Sequence, residues 1–235
     1  MKGLKKLIII PAYNEEGNIL KVVEDITKYA SEFDYLVIND CSTDQTRKVC
    51  EENNINLINL PINLGIGGAV QTGYMYAYQN NYDIVVQFDG DGQHNARYLN
   101  DIVTPIIREG ANMVIGSRFI EMEGYQSTRM RRFGISFLSS LIKVCTNERI
   151  YDPTSGYRAI DKKTAEHFAN KYPKDYPEPE TIVFLTRIDY HIQEIPVEMN
   201  ERVNGRSSIH NLKSLYYMLK VSFAILIDRI KPKNP

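Results

Sequence analysis

Short apolar runs without regular polar alternation recur through the first half of this chain, and most are followed by a segment of helical period. The runs lie at residues 7–10, 35–38, 57–60, 84–88 and 113–115. Strands buried on both faces read this way, because neither face has to meet water. Between them, Ile19, Val22, Val23, Ile26 and Tyr29 form one helical stripe, and residues 44–52 can form a second, short helix. A third, over residues 68–79, brings Ala69, Gly73 and Ala77 to one face, where small side chains allow close packing. Strand and helix in alternation predict an α/β fold with a doubly wound, mainly parallel sheet, binding its ligands at the carboxyl ends of the strands. A length of 235 residues, 43% of them hydrophobic, suits one large domain or one domain with an appendage.

The composition also bears on function class and compartment. A net charge of −1 supplies no global attraction for nucleic acid. Cys41, Cys50 and Cys145 are odd in number and lack metal-ligand spacing, so free thiols in a reducing compartment are expected. The opening Met1-Lys2-Gly3-Leu4-Lys5-Lys6 leads into only four apolar residues before Pro11, unlike a secretory signal. No window approaches 18 uncharged apolar residues, so a spanning helix is not expected. These features point to a cytoplasmic protein.

The chemistry-bearing residues sit where the predicted strands end. The run at 84–88 stops abruptly in Asp89-Gly90-Asp91-Gly92-Gln93-His94. Two carboxylates separated by a glycine can converge on one site, and two hard oxygen ligands suit Mg2+ or Mn2+. The same residues also make good turn chemistry. After the first run comes Pro11-Ala12-Tyr13-Asn14-Glu15-Glu16. Asn14 can cap the following helix with the two acids in its first turn, while an aromatic and a carboxylate here can also stack on a base and accept its N–H groups. After the second run, the polar cluster at residues 39–46 exceeds what a helix cap needs, which makes Asp40 a candidate for base or ribose contact. The third run leads into Asn63-Leu64-Gly65-Ile66-Gly67-Gly68, which can cradle phosphate or simply pack tightly. It lacks the Lys-Ser/Thr pair of a P-loop.

Taken in order, Pro-Ala-Tyr-Asn-Glu, Asn39-Asp40-Cys41-Ser42-Thr43-Asp44, Asn63-Leu64-Gly65 and Asp89-Gly90-Asp91-Gly92-Gln93-His94 resemble the successive motifs of family 2 glycosyltransferases of GT-A fold. Within that family the chain most resembles the dolichyl-phosphate mannose synthase group, the polyprenyl-phosphate glycosyltransferases. Gly116-Ser117-Arg118, Asp152-Pro153-Thr154-Ser155-Gly156-Tyr157-Arg158, Glu194-Ile195-Pro196-Val197 and the segment from Arg202 to Ser207 extend the likeness over roughly residues 7–210. The resemblance implies an inverting transfer of a sugar from a UDP- or GDP-sugar donor, with Mg2+ or Mn2+ on the diphosphate. Pro11, Ala12, Tyr13, Glu15 and Asp40 match positions that hold the nucleoside. Asp89 and Asp91 match the metal-placing pair, with Gln93 close by and Gly65 in the phosphate-side turn. Two departures stand out. Ser208 takes the place where relatives often have lysine, and Cys41 replaces the usual glycine of Asp-Gly-Ser.

The acceptor that the resemblance implies is a polyprenyl phosphate, already an anionic nucleophile and in need of cationic positioning. Arg118, Arg131 and Arg202 fall in or near phosphate-binding positions of the group, with Arg129, Arg132 and Arg206 close to them in sequence. Two segments suit a membrane surface. One is the uncharged run at 133–142, which follows the arginine cluster. The other is a C-terminal stripe of Leu212, Leu215, Tyr216, Leu219, Phe223, Leu226, Ile227 and Ile230, flanked by Lys and Arg. The alternative for that stripe is a core-packing helix. The expected organisation is a catalytic domain over residues 1–210 and an amphipathic membrane- or partner-binding helix over 211–235. The protein would then be peripheral at the inner face of the cell membrane, with a separate transmembrane subunit as a possible partner and no nucleic acid. The runner-up acceptor is a saccharide hydroxyl. A sugar-phosphate nucleotidyltransferase is disfavoured, since the loop after the first run does not resemble the glycine-rich basic loop of that class.

Overall fold

In a computed structural model, the described residues are 3–126, 128–174, 177–201, 220–223, 225 and 227. The expected apolar runs form strands β1 (Lys6–Ala12), β2 (Asp34–Asn39), β3 (Leu57–Asn59), β4 (Ile84–Gln87) and β5 (Met113–Ser117). Two further strands, β6 (Arg158–Asp161) and β7 (Ile192–Pro196), complete a seven-stranded sheet of order β3-β2-β1-β4-β6-β5-β7. All neighbours are parallel except those of β6, which runs antiparallel to both β4 and β5. The mainly parallel, doubly wound α/β sheet is therefore as expected. β6 and β7 carry too few uninterrupted apolar residues to stand out by pattern.

Helices α1 (Ile19–Tyr29), α2 (Thr46–Glu52), α3 (Gly65–Gln79) and α4 (Leu99–Glu109) follow β1 to β4 in turn. The α1 stripe is buried at Ile19, Val22, Val23 and Ile26, and α3 buries Ala69, Gly73 and Ala77. A Cβ added at Gly73 would meet Ile9 side-chain atoms at 2.8–2.9 Å, so the small face of α3 permits its approach to β1. Strand alternation divides the core in two. Ile8 and Ile10 point into the layer with α1 and α4, while Leu7 and Ile9 point into the layer with α3. Each such buried side chain contributes roughly 1.5–3 kcal/mol.

After β5 the chain enters α5 (Arg129–Thr146), β6, α6 (Lys162–Asn170), α7 (Pro177–Arg187) and β7. Thr128 caps α5 by accepting the Arg131 amide, and Asn147, at φ 63°, ends it in the left-handed region. Ile135, Leu138 and Ile142 of α5 are buried. Met130, Phe133, Phe137 and Val144 are exposed, with Phe133 at 76%. Most of the expected C-terminal stripe, Leu212 through Leu219 together with Leu226 and Ile230, lies outside the described residues, as do Arg202, Arg206 and Ser208. The described part is helical: Val221 and Ile225 are buried in the α3 layer, and Phe223 and Ile227 are exposed. Among the described residues no helix is long and apolar enough to cross a membrane.

Candidate active site

The loops after β1 and β2 are clasped to each other at the carboxyl edge of the sheet. Asn14 does not cap α1. Its Oδ1 accepts the Thr43 amide at 2.8 Å, and its own amide donates to Ser42 Oγ at 2.9 Å. The Glu15 amide donates to Thr46 Oγ1 at 2.8 Å, and Glu16 accepts the Gln45 amide at 2.8 Å. The polar cluster at 39–46 thus supplies one half of a loop-to-loop clasp. Glu15 is buried and its carboxylate accepts from Asn18 Nδ2 at 2.7 Å. Pro11 and Ala12 are the last residues of β1, and Tyr13, 48% exposed, presents an open aromatic side chain beyond them.

Asp40 joins three segments. Its amide donates to Ala12 O at 2.9 Å, its carbonyl accepts from Asn63 Nδ2 at 3.0 Å, and its Oδ1 accepts the Leu64 amide at 2.7 Å. Burial pushes the Asp40 carboxyl upward, against the pull of the Leu64 and Gly65 amides. Cys41 sits at φ 56°, in the left-handed region where glycine costs least. The glycine-rich turn divides its roles. A Cβ at Gly67 would lie 2.2 Å from Lys174 O, and one at Gly68 would strike Leu64, so both serve packing. Gly65, at φ 76°, faces open space.

Asp89 and Asp91 follow β4, and the loop that holds them is heavily tied down. Asp91 Oδ1 accepts the Gln93 amide at 3.0 Å, while the Gln93 carbonyl accepts the Asn200 amide at 2.8 Å. Asp89 Oδ1 accepts from Gln87 Nε2 at 3.3 Å, and the Asp89 amide donates to His94 Nδ1 at 3.0 Å. Burial drives His94 down to about 4, so the ring is neutral near pH 7. A Cβ at Gly156 would lie 3.0 Å from Asp89 Oδ2, so that glycine leaves room for the carboxylate. Among the described residues no three His, Cys, Asp or Glu side chains gather as a metal cage. Two oxygen-donor carboxylates beside that space fit a divalent cation that draws its other ligands from a diphosphate and water.

Arg118 follows β5 and is buried against Asp152. Its Nε donates to Asp152 Oδ2 at 2.7 Å and its Nη2 to Asp152 Oδ1 at 2.8 Å, a bidentate pair. Asp89 adds to the field that favours the Arg118 charge, which places the two within electrostatic reach. The Asp152 loop is held in turn by Glu194 of β7, whose carboxylate accepts the Tyr151 amide at 2.6 Å and the Asp152 amide at 2.8 Å. Burial pushes the Glu194 carboxyl up, and those two amides pull it down.

Arg158 closes the 152–158 motif without a role assigned to it there, and no sequence pattern flags Glu178. Arg158, 2% exposed, donates to Ser155 O at 2.7 Å, Pro153 O at 3.0 Å, Glu178 O at 2.8 Å and Thr181 Oγ1 at 2.8 Å. It clamps the 153–156 loop to the first turn of α7. Burial pushes the Glu178 carboxyl up; Arg158 opposes that and Asp89 adds a smaller push, so Glu178 lies near the acidic loop. A groove of about 800 Å³ opens next to the Arg118–Asp152 pair, lined by Phe119, Phe133 and Tyr151 and by Arg129, Arg132, Lys143 and Arg149. No acid lines it. Arg131 is exposed in the first turn of α5 and is not among the lining residues.

A mainly parallel sheet with one inserted antiparallel strand, and an acidic loop at its carboxyl edge, has the GT-A architecture of glycosyltransferases. The chain belongs to glycosyl transferase family 2, whose sequence profile matches residues 7–168. It is 27% identical to the UDP-N-acetylglucosamine–dolichyl-phosphate N-acetylglucosaminyltransferase of Methanococcus voltae, over 94% of this chain and 97% of that protein. It is 28% identical to the undecaprenyl-phosphate mannosyltransferase of Micrococcus luteus, over 88% of each. Among solved structures, glucosyl-3-phosphoglycerate synthase from Mycobacterium tuberculosis, in complex with Mn2+, UDP-glucose and phosphoglyceric acid, superposes with a TM-score of 0.74. That match covers 97% of this chain and 80% of the other at 19% identity, a likeness of fold.

Proposed function

We propose that this chain is an inverting glycosyltransferase that moves a sugar from a nucleotide diphosphate donor to a polyprenyl phosphate. The transfer takes place at the cytoplasmic face of the membrane, in the making of cell-envelope or other glycans. The observation that carries the acceptor reading is the groove beside Arg118, in which, among the described residues, four cations and no acid line an apolar wall of Phe119 and Phe133. An anionic headgroup joined to a hydrocarbon chain meets both requirements. The α5 face next to it, with Met130, Phe133, Phe137 and Val144 exposed among basic residues, suits an anionic leaflet. Relatives named for dolichyl- and undecaprenyl-phosphate transfer support the same class of acceptor.

In this reading Tyr13 stacks on the base, with Pro11, Ala12, Glu15 and Asp40 shaping the nucleoside pocket. Asp89 and Asp91, with Gln93 beside them, hold Mg2+ or Mn2+, and Gly65 gives the diphosphate room. A cation held there would stabilise the negative charge that collects on the departing β-phosphate. Arg118, with Arg131 and Arg202 as further candidates, positions the acceptor phosphate on the opposite face of the sugar, so the anomeric configuration inverts. No base is needed, because a phosphate oxygen is already anionic. Glu178 supports a second reading: a carboxyl raised by burial near Asp89 suits a general base for a saccharide hydroxyl. Turnover with a panel of UDP- and GDP-sugars, with undecaprenyl phosphate or soluble saccharides, separates the two. Transfer to saccharide alone would overturn the lipid reading. Asp91→Asn is expected to keep the fold and lose most turnover, and full activity in EDTA would remove the cation.

A further inference from the structure

The Asp89 amide sits where the sheet can no longer serve it. The preceding amide, of Phe88, donates to Ile9 O of β1 at 3.0 Å, so by strand alternation the Asp89 amide faces the β6 side. There the ladder has ended, its last pair being Gln87 with Arg158. Even a part-buried N–H is costly to leave without an acceptor, and the acceptor here is His94 Nδ1 at 3.0 Å. A backbone N–H can only donate, so Nδ1 is unprotonated and the ring proton lies on Nε2. Nε2 stands 3.5 Å from Asp89 Oδ2. One ring edge thus holds the main chain of Asp89 and sets Nε2 beside its carboxylate.

The ring cannot easily turn away. It stacks on Tyr157 at 4.7 Å between centroids and 12° between planes, meets Phe88 edge-on at 5.3 Å, and its side chain is 3% exposed. Tyr157 is anchored by its hydroxyl donating to Asn95 O at 3.1 Å. On the other side of the carboxylate, Gln87 Nε2 donates to Oδ1. Asp89 is therefore oriented from both sides. We propose that His94 is a positioning residue that holds Asp89, through its amide and its carboxylate, in the pose that receives the divalent cation. This rests on the reading of Asp89 and Asp91 as the cation site. Partners of this outer kind commonly change metal affinity or activity by about 10- to 100-fold when lost.

The test is Mn2+ uptake in the presence of UDP, followed by the electron paramagnetic resonance of free Mn2+, on the full chain and two variants. His94→Phe keeps a ring against Tyr157 but removes both nitrogens. His94→Asn places an amide oxygen near the Nδ1 position, able to accept the Asp89 amide. His94→Phe is expected to weaken Mn2+ uptake by about 10- to 100-fold, and His94→Asn to restore most of it. In turnover, the Mn2+ half-saturation of His94→Phe should rise while kcat at saturating Mn2+ changes little; a damaged fold would instead lower kcat at unchanged half-saturation. Wild-type uptake by His94→Phe would overturn the inference. So would a folded His94→Asn that binds Mn2+ more than tenfold more weakly than wild type, and this second variant decides the matter if His94→Phe does not fold. No uptake by the wild type would overturn the cation site itself, and the role of His94 with it.

Discussion

On the proposed reading Arg118 has two jobs that mutagenesis will mix unless they are separated. It would meet the acceptor phosphate, while its Nε and Nη2 hold the fully buried Asp152. Removing it strands a buried carboxylate, so Arg118→Ala should lower stability by about 3–5 kcal/mol, read by urea denaturation. Loss of activity in that variant is therefore not evidence of phosphate binding by itself. Arg118→Lys keeps the charge but not the bidentate fork, and an equal stability loss would point to the fork rather than the charge. Gly156 offers a cleaner probe of the acidic loop. Its φ is not in the left-handed region, so alanine adds only a methyl group, at 3.0 Å from Asp89 Oδ2 and from Gln87 Nε2. Gly156→Ala should raise the Mn2+ half-saturation several-fold with a small change in melting temperature. Unchanged metal dependence would show that Asp89 yields freely.

The elements that complete the site are the ones whose patterns are weakest. β6 enters between β4 and β5 and brings Arg158 beside Gln87, and β7 brings Glu194 under the Asp152 loop. The Glu194 carboxylate accepts two amides, and an amide side chain can accept only one while turning a donor towards the other. Glu194→Gln should cost about 1–3 kcal/mol and speed hydrogen exchange at Tyr151 and Asp152. Protection equal to wild type at both amides would remove Glu194 as the support of that loop. The same logic explains α5. Its buried side, Ile135, Leu138 and Ile142, is ordinary core packing, and its other side is apolar without a described partner.

At the scale of the whole molecule, the proposed reading has the exposed α5 face and the basic groove meet one anionic surface. Burying a phenylalanine side chain is worth roughly 1.5–3 kcal/mol, or about 10- to 100-fold in partition. Phe133→Ser combined with Phe137→Ser should therefore reduce binding to vesicles containing phosphatidylglycerol by at least about tenfold, with the melting temperature unchanged because both rings are exposed. Wild-type binding should also weaken as salt rises, since the electrostatic part is screened beyond about 10 Å at 0.1 M. Equal partition of wild type and the double variant would take α5 out of the membrane contact.

The central sheet and the location of the chemistry are both legible in the amino-acid order. Apolar runs with no face turned to water have to pair with one another, although the third, as edge strand β3, is only half-buried; glycine, proline and carboxylates gathered at their ends mark the ligand edge. Those signals are local: a strand's burial is written in its own residues, and so is the Asp-Gly-Asp spacing. Which of the marked residues serve each other is set by contacts that exist only in the folded chain. Asn14 is legible as a helix cap but joins Thr43, because loops distant in sequence meet only after β1 and β2 pair. Gly67 and Gly68 are legible as a phosphate cradle but make room for Lys174 and Leu64. His94 lies in a recognised motif, yet its part in orienting Asp89 depends on Tyr157, 63 positions away, supplying a stacking face once β6 inserts between β4 and β5. Contacts between segments far apart in the chain leave no periodicity behind, and only the folded sheet brings them together.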